Sequence, residues 1–208
     1  MTTLIFNKPF DVVTGFTSPA NAKPGQQTLG DYVSVVGADG NAYVPTGVWP
    51  VGRLDRDSEG LLIMSSHPQL RSRLLDPKLA HARTYQAQVE GTIEDRPEAL
   101  VALEHGVVIE GIATRPATAT AIAEPPGLWP RTPPIRYRAS IPTSWIELTI
   151  IEGRNRQVRK MTAAVGFPTL RLVRRSILHL DVFLLGLQPG EWRALTPDEE
   201  RGLVAASR

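Results

Sequence analysis

The chain has 208 residues, 42% of them hydrophobic, enough for one large domain or two small lobes around a substantial core. It contains no cysteine, which excludes disulfides, thiolate nucleophiles and cysteine-ligated zinc, and no run of about 18 apolar residues of the kind that spans a bilayer. The formal net charge is only +2, yet residues 131–175 hold ten Lys or Arg against two acids, a local +8 that leaves −6 on the remainder. Nine of those ten cations are arginine, and such asymmetry points to a polyanionic partner, a nucleic acid before others. Met1–Pro9 lacks the basic-then-apolar pattern of a signal peptide, so a cytoplasmic protein is expected.

In chain order, Leu4-Ile5-Phe6 reads as a short strand ending at Lys8-Pro9, and Val12–Phe16 as a second. Asn21–Gln27 is polar and turn-rich, an exposed loop. Thr28 can cap a helix through Asp31-Tyr32-Val33, and Ala38–Asn41 is a turn. Tyr43-Val44-Pro45 and Val48–Val51 lead into a charged, glycine-bracketed turn, Gly52–Gly60, which enters the strand Leu61–Ser65. His67–Leu75 reads as a helix stopped before Pro77, Thr84–Glu90 as a half-buried strand closed by Gly91, and Arg96–His105 as a helix. Val107–Glu110 and Ala117–Ala123 are further strands. Residues 124–134 carry five prolines and form a surface loop. Trp145–Ile151 is a strand and Arg154–Val165 a helix closed by Gly166. The irregular alternation predicts an α+β fold with a mixed, largely antiparallel sheet rather than a doubly wound one.

Several chemistries lack their motifs. There is no phosphate-cradling glycine loop, and the four histidines (67, 81, 105, 179) show no metal-binding spacing. Asp55-x-Asp57-x-Glu59-Gly60 mimics half a calcium loop, but Ser66 stands where a bidentate glutamate is needed. What remains is a carboxylate beside arginines, Tyr85, and the basic segment Glu152–Met161. A glycosidase using Asp55 and Asp57 is one reading of the acids. Residues two apart on an extended turn, however, lie on one side and close together, unlike a pair flanking a sugar.

Gly52-Arg53-Leu54-Asp55 with Gly60-Leu61-Leu62 is similar to the active-site signature of RNA pseudouridine synthases. Asn7-Lys8-Pro9 with Val12-Val13-Thr14, and Glu152-Gly153-Arg154-Asn155-Arg156-Gln157-Val158-Arg159-Lys160-Met161, resemble the flanking motifs of the branch that acts on small- and large-subunit ribosomal RNA. The likeness runs on through Arg171–Arg174 to Leu187–Arg193. Two departures stand out. Set against the branch, the chain is expected to start at the first strand of the catalytic domain, without the S4 RNA-binding module that most members carry. Arg83 stands where a lysine is usual two residues before the tyrosine.

The resemblance implies a single catalytic domain over residues 1–208, most like the E-type synthases of the large ribosomal subunit, its sheet divided between two lobes about a central RNA-binding cleft. The activity implied is isomerisation of uridine to pseudouridine in ribosomal RNA, most similar to action on 23S rRNA, on a stem or an assembly intermediate. No cofactor and no metal are implied, and a monomer is expected. Asp55 takes the position of the catalytic carboxylate. Arg159 takes that of the arginine paired with it, where a guanidinium favours the charged acid. Tyr85 takes that of the tyrosine stacked on the base; otherwise it is an ordinary sheet aromatic. Arg53 would fill the space left by the flipped nucleotide, or else be a solvated turn cation. Lys8, Arg154, Arg156, Lys160, Arg171, Arg174 and Arg175 are expected to contact phosphate, those within Lys160–Val173 that face inward on a helix or strand being core instead, while Arg56, Asp57 and Glu59 order the turn. The competing reading is a catalytically silent RNA-binding or ribosome-assembly protein on the same fold.

Overall fold

The computed structural model describes residues 2–36, 42–43, 45–135, 138 and 140–207. In chain order the first elements are β1 (Thr3–Lys8), β2 (Val35–Val36), β3 (Ala42–Tyr43), β4 (Trp49–Pro50), β5 (Glu59–Ser65), α1 (Pro68–Leu75), β6 (Arg83–Glu90) and α2 (Pro97–His105). They are followed by β7 (Val108–Ile109), β8 (Ile112–Ala113), β9 (Thr118–Ile122), β10 (Thr143–Ile150), α3 (Gln157–Ala164), β11 (Thr169–Ile177), β12 (Leu180–Asp181), β13 (Trp192–Ala194) and α4 (Pro197–Ala206). The chain divides into two compact units, Met1–Leu79 with His179–Arg208, and Ala80–Leu178.

In the first unit β1 lies between β13 and β5, antiparallel to both, in registers that set Phe6 against Trp192 and Leu62. Every residue of β1 and β5 is buried, and each strand has an unbroken apolar centre, Leu4-Ile5-Phe6 and Leu61–Met64. Two of their polar side chains bond internally. Thr3 donates from Oγ1 to Glu200 Oε1 at 2.7 Å, and Asn7 from Nδ2 to the Leu187 carbonyl at 2.8 Å. α1 starts on Pro68, with His67 Nδ1 accepting from the Leu70 N–H, and buries Leu70 and Leu74.

The second unit is an antiparallel sheet in the order β11-β6-β10-β9. Cross-strand partners Ala87, Ile146 and Leu172 share one face with Leu148, and their core includes Leu103 of α2 and Val158 and Met161 of α3. The opposite face mixes Trp145 and Val173 with polar pairs, the Thr84 and Thr149 hydroxyls 2.9 Å apart and Gln86 donating to Glu147 at 3.0 Å.

The α+β class and most of the elements read from the sequence agree; several places differ, and β11, β12, β13 and α4 have no counterpart in that reading. Val12–Phe16 forms no strand. Val13 makes one isolated parallel bridge to Thr28, because alternate residues here bond to loops rather than to a neighbouring ladder. The helix begun at Thr28 is a single 3-10 turn, Leu29–Asp31. α3 starts at Gln157, three residues after Arg154, since Arg156 adopts the left-handed conformation (φ 53°). The proline-rich segment has no regular structure, but Pro125 and Trp129 are buried, and Arg171 Nη2 donates to the Trp129 carbonyl at 2.9 Å. The segment is a loop exposed at most of its positions, with Pro125 and Trp129 as its buried points. The turn expected at 38–41 lies outside the described residues. β11 carries no clear strand signal because Arg171, Arg174 and Arg175 interrupt its apolar alternation.

Candidate active site

Asp55 sits in the first unit, on the turn between β4 and β5. The strand before it is tied by the Val51 N–H to the Ile63 carbonyl at 2.8 Å. Gly52 then takes φ +74°, and a Cβ there would meet Leu75 Cδ2 at 3.1 Å, so the turn needs glycine at this point. Beyond it the main chain is held group by group. The Thr14 hydroxyl donates to the Leu54 carbonyl at 2.6 Å and accepts from the Leu54 N–H at 3.3 Å. The Ser58 N–H donates to the Asp55 carbonyl at 3.0 Å, closing a turn. The Arg56 carbonyl accepts from the Asp11 N–H at 2.8 Å and from Lys8 Nζ at 3.3 Å. These are buried or half-buried groups, each costing about 1–3 kcal/mol if left unmet.

The side chains of the turn diverge. Asp55 and Asp57 are half-buried, Arg53 and Arg56 exposed, and Glu59 buried at the start of β5. Arg56 does order the turn, pairing its Nε with Asp11 at 3.0 Å and its Nη1 with Gln26 at 3.0 Å. The bracing segment is itself anchored. The Val13 N–H bonds to the Gln27 carbonyl at 2.9 Å, and the Leu29 N–H to the Gly15 carbonyl at 2.8 Å. Asp31 clamps the intervening turn through the Thr28 N–H (2.7 Å) and hydroxyl (2.9 Å), which hold its carboxyl below the usual carboxylate range.

Tyr85 and Arg159 belong to the second unit. Tyr85, the third residue of β6, is half-buried against the core, with Leu148 and Arg174 as its cross-strand partners. Two residues earlier, Arg83 lies on the same face. Burial pulls its guanidinium below arginine's ordinary value, Tyr85 opposing the shift and the Arg174 cation adding to it. Arg159 projects from the first turn of α3, half-buried, and donates from Nη1 to the Thr169 carbonyl at 3.3 Å.

The segment ahead of α3 closes on itself. Gln157, buried, accepts from the Arg154 N–H at 2.9 Å and donates to Glu152 at 2.6 Å. Arg154 spends its fork on the β7–β8 hairpin, bonding the Ile112 and Ile109 carbonyls at 3.2 and 3.0 Å. Lys160 pairs with Glu110 at 2.7 Å, and Arg175 with Glu147 at 2.7 Å. Arg156 is exposed.

Three of the expected phosphate contacts are corrected. Lys8 is 0% exposed, Arg171 7% and Arg174 3%. Lys8 braces the Asp55 turn, Arg171 pins Trp129, and Arg174 lies beside Tyr85. None offers surface to a phosphate. Sequence reasoning misses Thr14 and Gln157 as organisers. For Gln157 the available signal is its five-residue spacing from Glu152 across a glycine; for Thr14 there is none beyond its place in a family-like motif.

Residues 2–164 match the RNA pseudouridylate synthase family. The chain belongs to that family. It is accordingly an RNA pseudouridine synthase, an enzyme that isomerises uridine in RNA. Ribosomal large subunit pseudouridine synthase E of Vibrio parahaemolyticus is 44% identical over 192 residues, covering 92% of this chain and 73% of that protein. Its namesake in Xanthomonas campestris is 43% identical over 190 residues, covering 91% and 93%. A crystal structure of a pseudouridylate synthase overlays with a TM-score of 0.72 across 97% of this chain and 73% of that one, at 23% identity, a likeness of fold alone. The fold family expected from the motifs is thereby the fold observed. Among the described residues no helix is long and apolar enough to cross a membrane, and no group of three His, Cys, Asp or Glu is placed to hold a metal ion.

Proposed function

We propose that this pseudouridine synthase acts on ribosomal RNA of the large subunit in the cytoplasm, as one catalytic domain, with Asp55 as its catalytic carboxylate. The substrate follows from relatives named for that subunit and 43–45% identical to this chain. The reaction breaks the C1′–N1 bond of uridine, turns the base while it is held, and joins C5 to C1′. The proton leaves C5 and N1 gains one, so atoms and electrons balance within the nucleotide and solvent. An ionised carboxylate serves such a sequence as nucleophile, as stabiliser of electron-poor C1′, or as base. Tyr85 supplies a ring face for the base and Arg159 a cation for the site. Arg53 and Arg156, both exposed, meet the RNA.

The choice of Asp55 rests on its place in the family-like motif Gly52-Arg53-Leu54-Asp55, and the turn supports it. The Leu54 peptide before it and its own carbonyl are bonded while the residue is half-buried, whereas Glu59 is buried and Asp57, half-buried too, lies outside the motif. Preorganised geometry with an accessible reactive group is what a catalytic acid requires. Asp55→Asn keeps size and polarity but removes the charge. Its turnover, followed as tritium released from [5-³H]uridine-labelled rRNA, is expected to fall by about 10²–10⁴-fold or more, with RNA affinity in filter binding unchanged within about twofold. Turnover at the wild-type rate would overturn the assignment.

A further inference from the structure

We propose that Thr14 is a positioning residue for the uridine isomerisation, its hydroxyl fixing the peptide from which the Asp55 side chain departs. The proposal rests on the reading of Asp55 as the catalytic carboxylate. The carbonyl of Leu54 and the N–H of Asp55 share one rigid plane, so the atom that grips the Leu54 oxygen sets the orientation of the Asp55 backbone. That atom is Thr14 Oγ1, 2.6 Å away, and the same oxygen receives the Leu54 N–H at 3.3 Å. One hydroxyl thus occupies both backbone groups of the residue preceding the acid.

Both residues are buried, Thr14 at 9% and Leu54 at 5% exposure, so water does not readily replace these bonds. Two other carbonyls of the turn have different donors. Asp55 O is met by Ser58 N–H, and Arg56 O by Asp11 N–H and Lys8 Nζ. The Leu54 end depends on a hydroxyl instead. Thr14 is also a firm support. Its neighbours Val13 and Gly15 are bonded to Gln27 and Leu29, and the close approach of Gly30 to the Phe16 carbonyl, where a Cβ would lie at 2.6 Å, seats the loop behind it. A β-branched side chain adds a restricted χ1, keeping the hydroxyl aimed. Thr14 also lies on the same chain segment as Lys8 and Asp11, which hold the far end of the turn.

Thr14→Ser and Thr14→Ala both lose the methyl, and only the second loses the hydroxyl. Single-turnover tritium release at saturating enzyme, on the [5-³H]uridine-labelled rRNA that the wild-type protein converts, reads the step after binding. Thr14→Ser is expected within about threefold of wild type and Thr14→Ala slower by about 10–100-fold, since displacement of a catalytic group by about 1 Å costs on the order of 10²-fold. RNA affinity should stay within about twofold for both. If Thr14→Ala does not fold, Thr14→Val takes its place at equal side-chain volume. Equal single-turnover rates for the hydroxyl-bearing and hydroxyl-lacking variants overturn the proposal, as does a loss confined to affinity or to the unfolding midpoint. Asp55→Asn, run alongside, separates the two readings. If it is active, the assignment of Asp55 fails; if it is inactive while Thr14→Ser and Thr14→Ala are alike, only the role of Thr14 fails.

Discussion

Asp55 stands apart from the neighbouring acids by its motif, and Leu54 before it is gripped at both main-chain groups by the Thr14 hydroxyl. The grip comes from residues 8–14, about forty positions away in the chain, and it depends on a glycine behind it. A methyl group on Gly30 would lie 2.6 Å from the Phe16 carbonyl oxygen, a main-chain atom that cannot swing aside. Gly30→Ala is expected to destabilise the protein by about 1–3 kcal/mol, measured as a lower denaturant midpoint with unchanged slope; an unchanged midpoint would contradict this close packing. At this scale the sequence is half legible. Asp55, Tyr85 and Arg159 stand out because they fall in recognisable motifs. Val12-Val13-Thr14 reads as a strand, since inward and outward residues alternate there. That same alternation serves a loop whose partners are two other loops, which no local pattern announces. Lys8, Arg171 and Arg174 mislead for a related reason. Charge is visible in a sequence, but the carbonyls and packing that hold a buried cation are not.

Among the elements, α4 has no counterpart in the sequence reading, although its start is specified largely by its own residues. Thr196 and Glu199 form a capping box around Pro197, with the Thr196 N–H donating to Glu199 Oε2 at 2.8 Å. Arg193, on β13, bonds both Glu199 oxygens at 2.7 Å. The Arg193 guanidinium, with the cap bonds from Thr196, holds the Glu199 carboxyl at about 2. A folded value below the unfolded one means that the stabilisation is complete above the ordinary carboxylate range, about 4.5, and is lost as pH falls through about 2. Arg193 is 36% exposed, so solvent screening reduces the gain. Glu199→Gln is expected to cost about 1 kcal/mol at pH 6 to 7, and thermal unfolding should show the gap from wild type closing toward pH 2. A gap that widens on acidification would contradict the pairing. α3 is read from the sequence, but its start is misplaced. The cation-rich run suggests a helix from Arg154, yet Glu152 and Gln157 clip the loop and delay the helix by three residues.

For the whole molecule, the local +8 of residues 131–175 overstates what an RNA would meet. Arg171 and Arg174 are buried, Arg175, Lys160 and Arg138 are paired with Glu147, Glu110 and Glu90, and Arg154 bonds carbonyls of its own unit. Affinity for RNA should still fall with salt, but with a slope of log affinity against log salt on the order of 2–4 rather than one matching ten cations. Arg156→Glu should weaken binding and reduce the magnitude of that slope by about one, leaving single-turnover rate at saturating enzyme unchanged. A salt-independent affinity would contradict a phosphate-contacting surface. The α+β class and the family are legible at this scale because motifs in order along the chain constrain topology. Which cations face outward depends on three-dimensional pairing, and composition alone does not carry it.

That Asp55 makes this chain an enzyme acting on large-subunit ribosomal RNA is tested most directly in cells. Carbodiimide-dependent primer extension is run across rRNA from cells lacking the gene, complemented with wild type or with Asp55→Asn. Mass alone does not serve, because pseudouridine and uridine are isobaric. The expected result is a pseudouridine stop in large-subunit rRNA that disappears with the gene, returns with wild type and stays absent with Asp55→Asn. Restoration of the stop by Asp55→Asn, or stops unchanged by loss of the gene, would contradict that role for Asp55.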